Sequence, residues 1–369
     1  MSALRLTRLG KMSRRRGAVD QRCRVRAVPG GANIPVGAVT LVLRWFGENH
    51  DSPIAIAGFG PVGRELARRL LARGDQIRLV QRSAPGTVPA GTEFMKADLE
   101  SSEDAAYACA GAGTVVCTVG VPYRSPIYTR VWPIVMQNLL DACARSGARF
   151  VFADNLYMYG PQTEPLTEDM PLTDFGQKPR VRAEITRLWQ KAHRSGHVRA
   201  TAVRASDFYG PDVATSALST FGVARLLAGK PALAPYPPDH PHDFTYVPDF
   251  ARALVTLIDA PDDAYGEAWH VPNAPTETLR QLITLAAKLI GTKPRLSVLP
   301  QTFAPLIGLF DADVRELTEM RFQWDRPYRV DSSKFATRFW SAATPFKQGL
   351  TETIDFYRRA DDTRHSHGG

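Results

Sequence analysis

The sequence predicts an α/β fold built on a doubly wound parallel sheet, and three observations support this prediction. Short apolar runs alternate with longer amphipathic segments through the first half of the chain. A glycine-rich turn joins the first apolar run to the first amphipathic segment, and Gly74 and Gly147 stand where two such segments end. Strands and helices that alternate at this spacing are typical of a parallel sheet with helices on both faces.

The most informative unit covers residues 54–80. Four apolar residues from Ile54 predict a buried strand, residues 64–73 carry apolar side chains at helical spacing, and residues 77–80 predict the next strand. Glycines between this strand and helix permit a tight bend, close approach of the backbone to a pyrophosphate, and close helix–sheet packing. The unit therefore predicts a Rossmann-type dinucleotide site, with a ligand-free glycine turn as the alternative. The turn consists of Gly58, Phe59, Gly60, Pro61, Val62 and Gly63.

The residues after the second strand indicate which dinucleotide binds. An NAD site usually has Asp or Glu at this point, which accepts a hydrogen bond from the ribose 2′-hydroxyl. This chain has Gln81, Arg82 and Ser83 instead. Because a guanidinium forms charge-assisted hydrogen bonds to a phosphate, we expect NADP, contacted by Arg82 and Ser83. NAD stays an open alternative, in which Arg82 stacks on the adenine or faces solvent.

The alternation of elements continues along the chain and becomes less regular after residue 210. In the first half, strands are predicted near 94–99, 113–119, 149–153 and 199–204, and helices near 102–110, 128–146 and 180–195. In the second half, helices are predicted near 216–229, 249–259, 276–290 and 348–359, short strands near 243–247 and 268–271, and a loop over 232–241. The predicted parts are a disordered basic tail (1–50), the dinucleotide-binding domain (51–210), a smaller, mainly substrate-binding part with segments that return to that domain (211–360), and a disordered tail (361–369).

The net charge of +9 lies entirely in the N-terminal tail. Residues 1–45 contain ten Lys or Arg and one Asp, and the remaining 36 basic and 36 acidic residues cancel. A neutral body argues against nucleic-acid binding, and the apolar stretch 34–43 is too short to cross a membrane. Four cysteines without metal-ligand spacing predict buried thiols, no metal site and a reducing cytoplasm.

Further motifs occur in an order that is specific to one family. They are Gly58-Phe-Gly-Pro-Val-Gly63, Ala97-Asp-Leu99, Arg149-Phe-Val-Phe-Ala-Asp-Asn-Leu-Tyr-Met-Tyr-Gly160, Val203-Arg-Ala-Ser-Asp-Phe-Tyr-Gly-Pro211, Phe244-Thr-Tyr-Val-Pro-Asp249, Gly266-Glu-Ala-Trp-His-Val-Pro-Asn273 and Gly349-Leu-Thr-Glu-Thr-Ile354. Over about residues 53–358 the chain resembles the extended or atypical short-chain dehydrogenases/reductases, of the NAD(P)-dependent epimerase/dehydratase family.

The resemblance implies an oxidoreductase or epimerase that uses NAD(P) and acts on a carbonyl or secondary alcohol of a small-molecule substrate. It implies that Asp98 and Leu99 flank the adenine and that Gly120 lines the nicotinamide side. By the same analogy, the long helices at 128–146 and 180–195 suggest a homodimer.

The catalytic positions depart from the family pattern. Where relatives carry Ser or Thr four residues before the Tyr-Gly at the end of the fifth strand, this chain has Asn155. Where they carry Tyr-x-x-x-Lys, the best spacing match is Lys178-Pro-Arg-Val-Arg182. We expect Asn155 to polarise the substrate oxygen, Lys178 to transfer the proton and Arg182 to fix the cofactor ribose. The alternative proton donor is one of the two tyrosines that follow Asn155, Tyr157 or Tyr159.

The loss of both the Ser/Thr and the Tyr also fits a second hypothesis, in which the protein binds NADP without turnover and acts as a sensor or scaffold. The polar pair Asp154-Asn155 at the end of a strand favours the enzyme. The sequence leaves the substrate open among nucleotide sugars, steroid-like alcohols and small ketones.

Overall fold

A seven-stranded parallel sheet is the central feature of the structure. The computed structural model describes residues 52–234, 236–298, 316 and 318–366. The strands are β1 (Ile54–Ala57), β2 (Ile77–Gln81), β3 (Thr92–Lys96), β4 (Thr114–Cys117), β5 (Arg149–Asp154), β6 (Ala200–Arg204), β7 (Asp207–Tyr209), β8 (Ala232–Ala234), β9 (Pro241–His242), β10 (Phe244–Tyr246), β11 (Ala268–His270), β12 (Glu277–Thr278) and β13 (Leu296–Val298). The sheet order is β11-β6-β5-β4-β1-β2-β3, which confirms the predicted α/β fold.

Helices cover both faces of this sheet. The helices are α1 (Pro61–Arg73), α2 (Ser102–Cys109), α3 (Ser125–Ser146), α4 (Lys178–Arg194), α5 (Arg225–Leu227), α6 (Val247–Asp259), α7 (Leu279–Ile290), α8 (Ser333–Arg338) and α9 (Phe346–Ser366). One face packs against α2, α3 and α4, and the other packs against α1, α6 and α8. Because both faces are covered, every residue of β1 and β4 is buried, which explains why these strands read as continuous apolar runs.

The smaller part of the structure has a core of its own. In it β7 pairs with β10 and β8 with β13 in parallel, while β9 pairs with β12 antiparallel. Leu218, Leu282 and Leu350 belong to one buried cluster, which joins α7 to α9.

The structure differs from the predicted elements at three places. The segment predicted as a loop over 232–241 contains β8 and the first residue of β9. The helix predicted over 216–229 is a π-helical turn, Ser219–Ala224, followed by the single turn α5. The last helix continues to Ser366, into the segment predicted to be a disordered tail.

The division of the chain into domains stays a prediction. Strand β11 lies beyond residue 210 but belongs to the main sheet. The N-terminal basic tail lies outside the described residues. Among the residues that are described, no helix is both long enough and apolar enough to cross a bilayer.

Candidate cofactor and substrate site

Two adjoining cavities lie at the carboxyl ends of the sheet strands. The first has a volume of about 580 Å³ and is lined by residues that follow β1, β2, β3 and β4. The second has a volume of about 400 Å³ and is lined mainly by residues that follow β5 and β6. Gly60 and residues 118–120 border both, so the cavities form the two ends of one groove. The groove begins between β1 and β4, where the strand order reverses and where α/β sheets bind ligands.

The glycines of the turn between β1 and α1 have different roles. Gly58 has φ +99°, and a Cβ there would lie 2.7 Å from the carbonyl oxygen of Thr118. A Cβ on Gly63 would lie 2.3 Å from the carbonyl oxygen of Gly58. A Cβ on Gly60 would meet no atom of the described residues within 4 Å. Packing therefore requires glycine at 58 and 63, whereas Gly60 borders open space that a ligand can enter.

The first turn of α1 offers hydrogen-bond donors beside this space. Gly60 is the N-cap and Pro61 is the first helical residue. The amides of Val62 and Gly63 therefore have no acceptor within the helix. The positive end of the helix dipole also favours an anion at this point.

Every residue predicted to contact the cofactor, except Gly63, lines at least one of the two cavities. Arg82 and Ser83 follow β2 directly, and Asp98 and Leu99 follow β3 two residues on. The two strand ends together form one wall of the first cavity.

Asn155 and Arg182 both line the second cavity. Asn155 Oδ1 accepts a hydrogen bond from the backbone amide of Tyr157 at 3.1 Å, which fixes the side chain just after β5. Arg182 lies one turn into α4, where it donates to Asp154 Oδ1 at 3.1 Å and to the Tyr128 hydroxyl at 2.6 Å. Of the predicted catalytic side chains, Asn155, Arg182 and the alternative donor Tyr157 line this cavity, whereas Lys178 and Tyr159 do not.

Asp154 lies between two arginines at the wall of the second cavity. Its Oδ1 accepts from Arg182, and its Oδ2 accepts from Arg204 Nε at 3.3 Å. Burial raises the pKa of Asp154, and the charges of the two guanidinium groups oppose this rise. The carboxylate therefore serves to hold both arginines in place.

Tyr159 is fully buried and belongs to this network rather than to the cavity wall. Its hydroxyl accepts from Arg204 Nη1 at 2.5 Å and lies 2.8 Å from His270 Nε2. His270 Nδ1 lies 3.1 Å from the carbonyl oxygen of Asp331, so it carries the proton and Nε2 accepts from Tyr159. Burial, together with the charge of Arg204, lowers the pKa of His270 to about 3. The imidazole is therefore neutral.

Lys178 is also fully buried, and it lines neither cavity. Its Nζ donates to Ser125 Oγ at 3.0 Å and to Glu319 Oε2 at 2.9 Å, and it contacts Glu316 Oε2 as well. Glu319 Oε1 also accepts from the backbone amide of Lys178 at 3.0 Å, at the start of α4. The ammonium therefore joins α3 and α4 to the segment around residues 316–319.

Two residues that line the second cavity, Asp207 and Gln323, were not predicted from the sequence. Neither was His242, whose Nε2 lies 2.8 Å from Asp207 Oδ2. Asp207 lies within the quoted motif 203–211, so a polar side chain after β6 was a signal available in the sequence. His242 and Gln323 are distant along the chain and gave no such signal.

Comparison with known proteins finds a matching family and distant relatives. The model of the NAD dependent epimerase/dehydratase family matches residues 54–271. A dTDP-glucose 4,6-dehydratase from Xanthomonas campestris pv. campestris is 24% identical over 217 residues, which are 58% of this chain and 58% of the relative. A dTDP-6-deoxy-L-talose 4-dehydrogenase (NAD(P)(+)) from Kitasatospora kifunensis is 24% identical over 68% of this chain and 84% of its own length. The chain thus spans less than two thirds of the first of these relatives.

Solved structures share the fold. UDP-glucuronic acid 4-epimerase from Bacillus cereus, in complex with UDP-glucuronic acid and NAD, aligns with a TM-score of 0.70 at 18% identity. UDP-glucose 4-epimerase from Thermus thermophilus, in complex with NAD, aligns with a TM-score of 0.67 at 20% identity. Each alignment covers 84% of this chain and 99% of the other.

Proposed function

The chain belongs to the NAD dependent epimerase/dehydratase family, and on this premise we propose that it is an NADP-dependent oxidoreductase or epimerase acting on a carbonyl or secondary alcohol. The observation that carries the proposal is the continuous groove at the carboxyl ends of the strands. Its first end combines a glycine turn with a helix N-terminus, and its second end holds Asn155 and Arg182.

The first cavity fits a dinucleotide. The open space at Gly60 and the free amides of Val62 and Gly63 suit a pyrophosphate. Arg82 is exposed at the cavity wall, where its guanidinium can pair with a 2′-phosphate. When bound, the cofactor supplies hydride transfer, and the protein supplies orientation and polarisation.

Asn155 is the group proposed to polarise the substrate oxygen. Because Oδ1 already accepts from the backbone of Tyr157, the Nδ2 amide is left to donate to a ligand. Arg182 is proposed to hold the cofactor ribose, since its Nε and Nη1 are fixed by Tyr128 and Asp154 while the residue still borders the cavity.

Two residues are candidates for the proton donor. The transfer of a proton by Lys178 stays a prediction, and its contacts with the carboxylates of Glu316 and Glu319 favour a structural role for this lysine. Tyr157 is the better-placed alternative, because it lines the second cavity. Burial, with a further contribution from the charge of Asp207, raises the pKa of Tyr157, so its hydroxyl stays protonated and can donate.

Two measurements test the proposal. Calorimetric titration should show binding of NADP, and a panel of sugar nucleotides, ketones and secondary alcohols should include a substrate that turns over NADP(H). Asn155→Ala should lower kcat by about 10²–10³ without changing the affinity for NADP.

One observation favours a second function, that of a sensor or scaffold that binds NADP without turnover. The side chains of Lys178 and Tyr159 both form hydrogen bonds within buried networks. If NADP binds but no member of the panel is turned over, the protein is the sensor or scaffold instead. If neither NADP nor NAD binds, both functions are contradicted.

A further inference from the structure

Asp207 lines the second cavity and is hydrogen-bonded to His242, which lies behind it. Asp207 is the first residue of β7, and His242 ends β9, two residues before the partner strand β10. His242 Nε2 lies 2.8 Å from Asp207 Oδ2, and the Asp207 side chain keeps 29% of its surface exposed. One carboxylate oxygen is therefore fixed by the histidine, while the group as a whole remains accessible from the cavity.

His242 is buried between Asp207 and an aromatic side chain. The imidazole is 2% exposed and stacks on Trp324, with ring centroids 4.1 Å apart and planes 16° apart. Its Nδ1 is buried and has no hydrogen-bond partner among the described residues. Nε2 is therefore the ring nitrogen through which His242 holds the Asp207 carboxylate.

None of the described residues that line the cavity supplies a cationic partner for Asp207. The other charged residues that line this cavity are Asp154 and Arg182, and these two pair directly with each other. The negative field of Asp207 reaches its neighbours: after burial itself, this charge is the next cause that raises the pKa of Tyr157 and of Tyr328.

We infer that Asp207, held by His242, sets the class of substrate that the second cavity accepts. The ligand presents a hydroxyl or ammonium donor to Asp207, and a phosphate or carboxylate at this position is repelled. The inference rests on the proposed function in one respect, that the second cavity is where the substrate binds. In this respect the chain would differ from structural neighbours such as the epimerase that binds UDP-glucuronic acid.

A matched pair of probes tests the inference: uridine, and uridine diphosphate (UDP), which adds only the charged groups. Each is titrated by calorimetry into wild type, Asp207→Asn and Asp207→Glu, with saturating NADP to fill the first cavity, and also without NADP. Like charges a few ångströms apart at a protein surface change affinity by at least about tenfold. We therefore expect Asp207→Asn to bind UDP at least about tenfold more tightly than wild type, with uridine unchanged, and Asp207→Glu to restore weak binding. The gain should shrink in 0.5 M salt.

Equal affinity of wild type and Asp207→Asn for UDP, whether tight or undetectable, overturns the inference. The affinity for NADP and the Tm of each variant show whether it is folded, and Asp207→Ser replaces Asp207→Asn if that variant does not fold. The proposed function fails separately, through absence of NADP and NAD binding to the wild type. The titrations without cofactor still decide the role of Asp207 in that case.

Discussion

The two ends of the groove are built in different ways. The first cavity takes its key geometry from consecutive residues, the turn 58–63 between β1 and α1. The second cavity takes Asn155 from the end of β5, Arg182 from α4, Asp207 from β7 and Gln323 from a segment far along the chain. Local sequence dictates the first kind of site, whereas only the tertiary fold assembles the second. The expected effects of substitutions should differ accordingly.

The largest expected effect separates two glycines of the turn. Gly60→Val should abolish NADP binding while the protein stays folded, because the new side chain enters the groove and meets no atom of the described residues within 4 Å of its Cβ. Gly63→Val is the matched control and should instead lower Tm, because its Cβ would lie 2.3 Å from a carbonyl oxygen. Calorimetric titration and thermal melting measure the two outcomes. Unchanged NADP affinity in Gly60→Val would remove this glycine from the cofactor site.

Lys178→Met tests whether this lysine has a structural or a catalytic role. The substitution leaves Glu316 and Glu319 without their buried cation, and removal of one partner from a buried ion pair costs about 3–5 kcal/mol. We expect a loss at the lower end of that range in urea unfolding, because Glu319 keeps some exposure. Lys178→Arg should recover much of the stability. If Lys178 transfers the proton, Lys178→Met should also lower turnover by about 10²–10⁴.

The same ion pair predicts a pH dependence of stability. Burial opposes ionisation of Glu316, but hydrogen bonds from Lys178 and Ser125 outweigh it and lower the pKa of this carboxyl below 4.5. Its contribution to stability is therefore full above about pH 4.5 and is lost as pH falls toward the lowered pKa. The difference in unfolding free energy between wild type and Lys178→Met should accordingly be smaller at pH 4 than at pH 7. A difference that is constant with pH would contradict this role for Glu316.

The contrast between the two ends also explains which features of the molecule could be predicted from its sequence. The parallel sheet, the glycine turn and the strand ends near Arg82 and Asp98 were predictable, because each depends on residues close together in the sequence. The partners of Lys178 were not, since Glu316 lies 138 residues away and ion-pair geometry depends on how α4 meets that segment. Tyr159 was expected near the reacting groups, but its contacts with Arg204 and His270 arise only when β5, β6 and β11 assemble.

A smaller effect is expected at Arg82, which tests the specificity of the first cavity. Arg82→Ala should weaken NADP binding by about ten- to a hundredfold, equivalent to the loss of about 1.5–3 kcal/mol for a charge-assisted contact. NAD binding should change little, since NAD has no 2′-phosphate for the guanidinium to contact. Competitive titration of both cofactors gives the ratio. An NADP/NAD ratio that is unaffected by the substitution would make NADP selection by Arg82 wrong.

The smallest expected effect compares two tyrosines that are close in sequence but lie in different environments. Tyr159→Phe removes a buried hydroxyl that bridges Arg204 and His270, and leaves a donor and an acceptor unsatisfied. The expected cost is about 1–3 kcal/mol of unfolding free energy, with NADP affinity and kcat close to wild type. Tyr157→Phe is the matched variant and should lower kcat instead, because Tyr157 lines the second cavity. Urea unfolding and steady-state kinetics on both variants measure this split. A loss of turnover in Tyr159→Phe without a loss of stability would return Tyr159 to the reacting groups and place the proton path through the buried network.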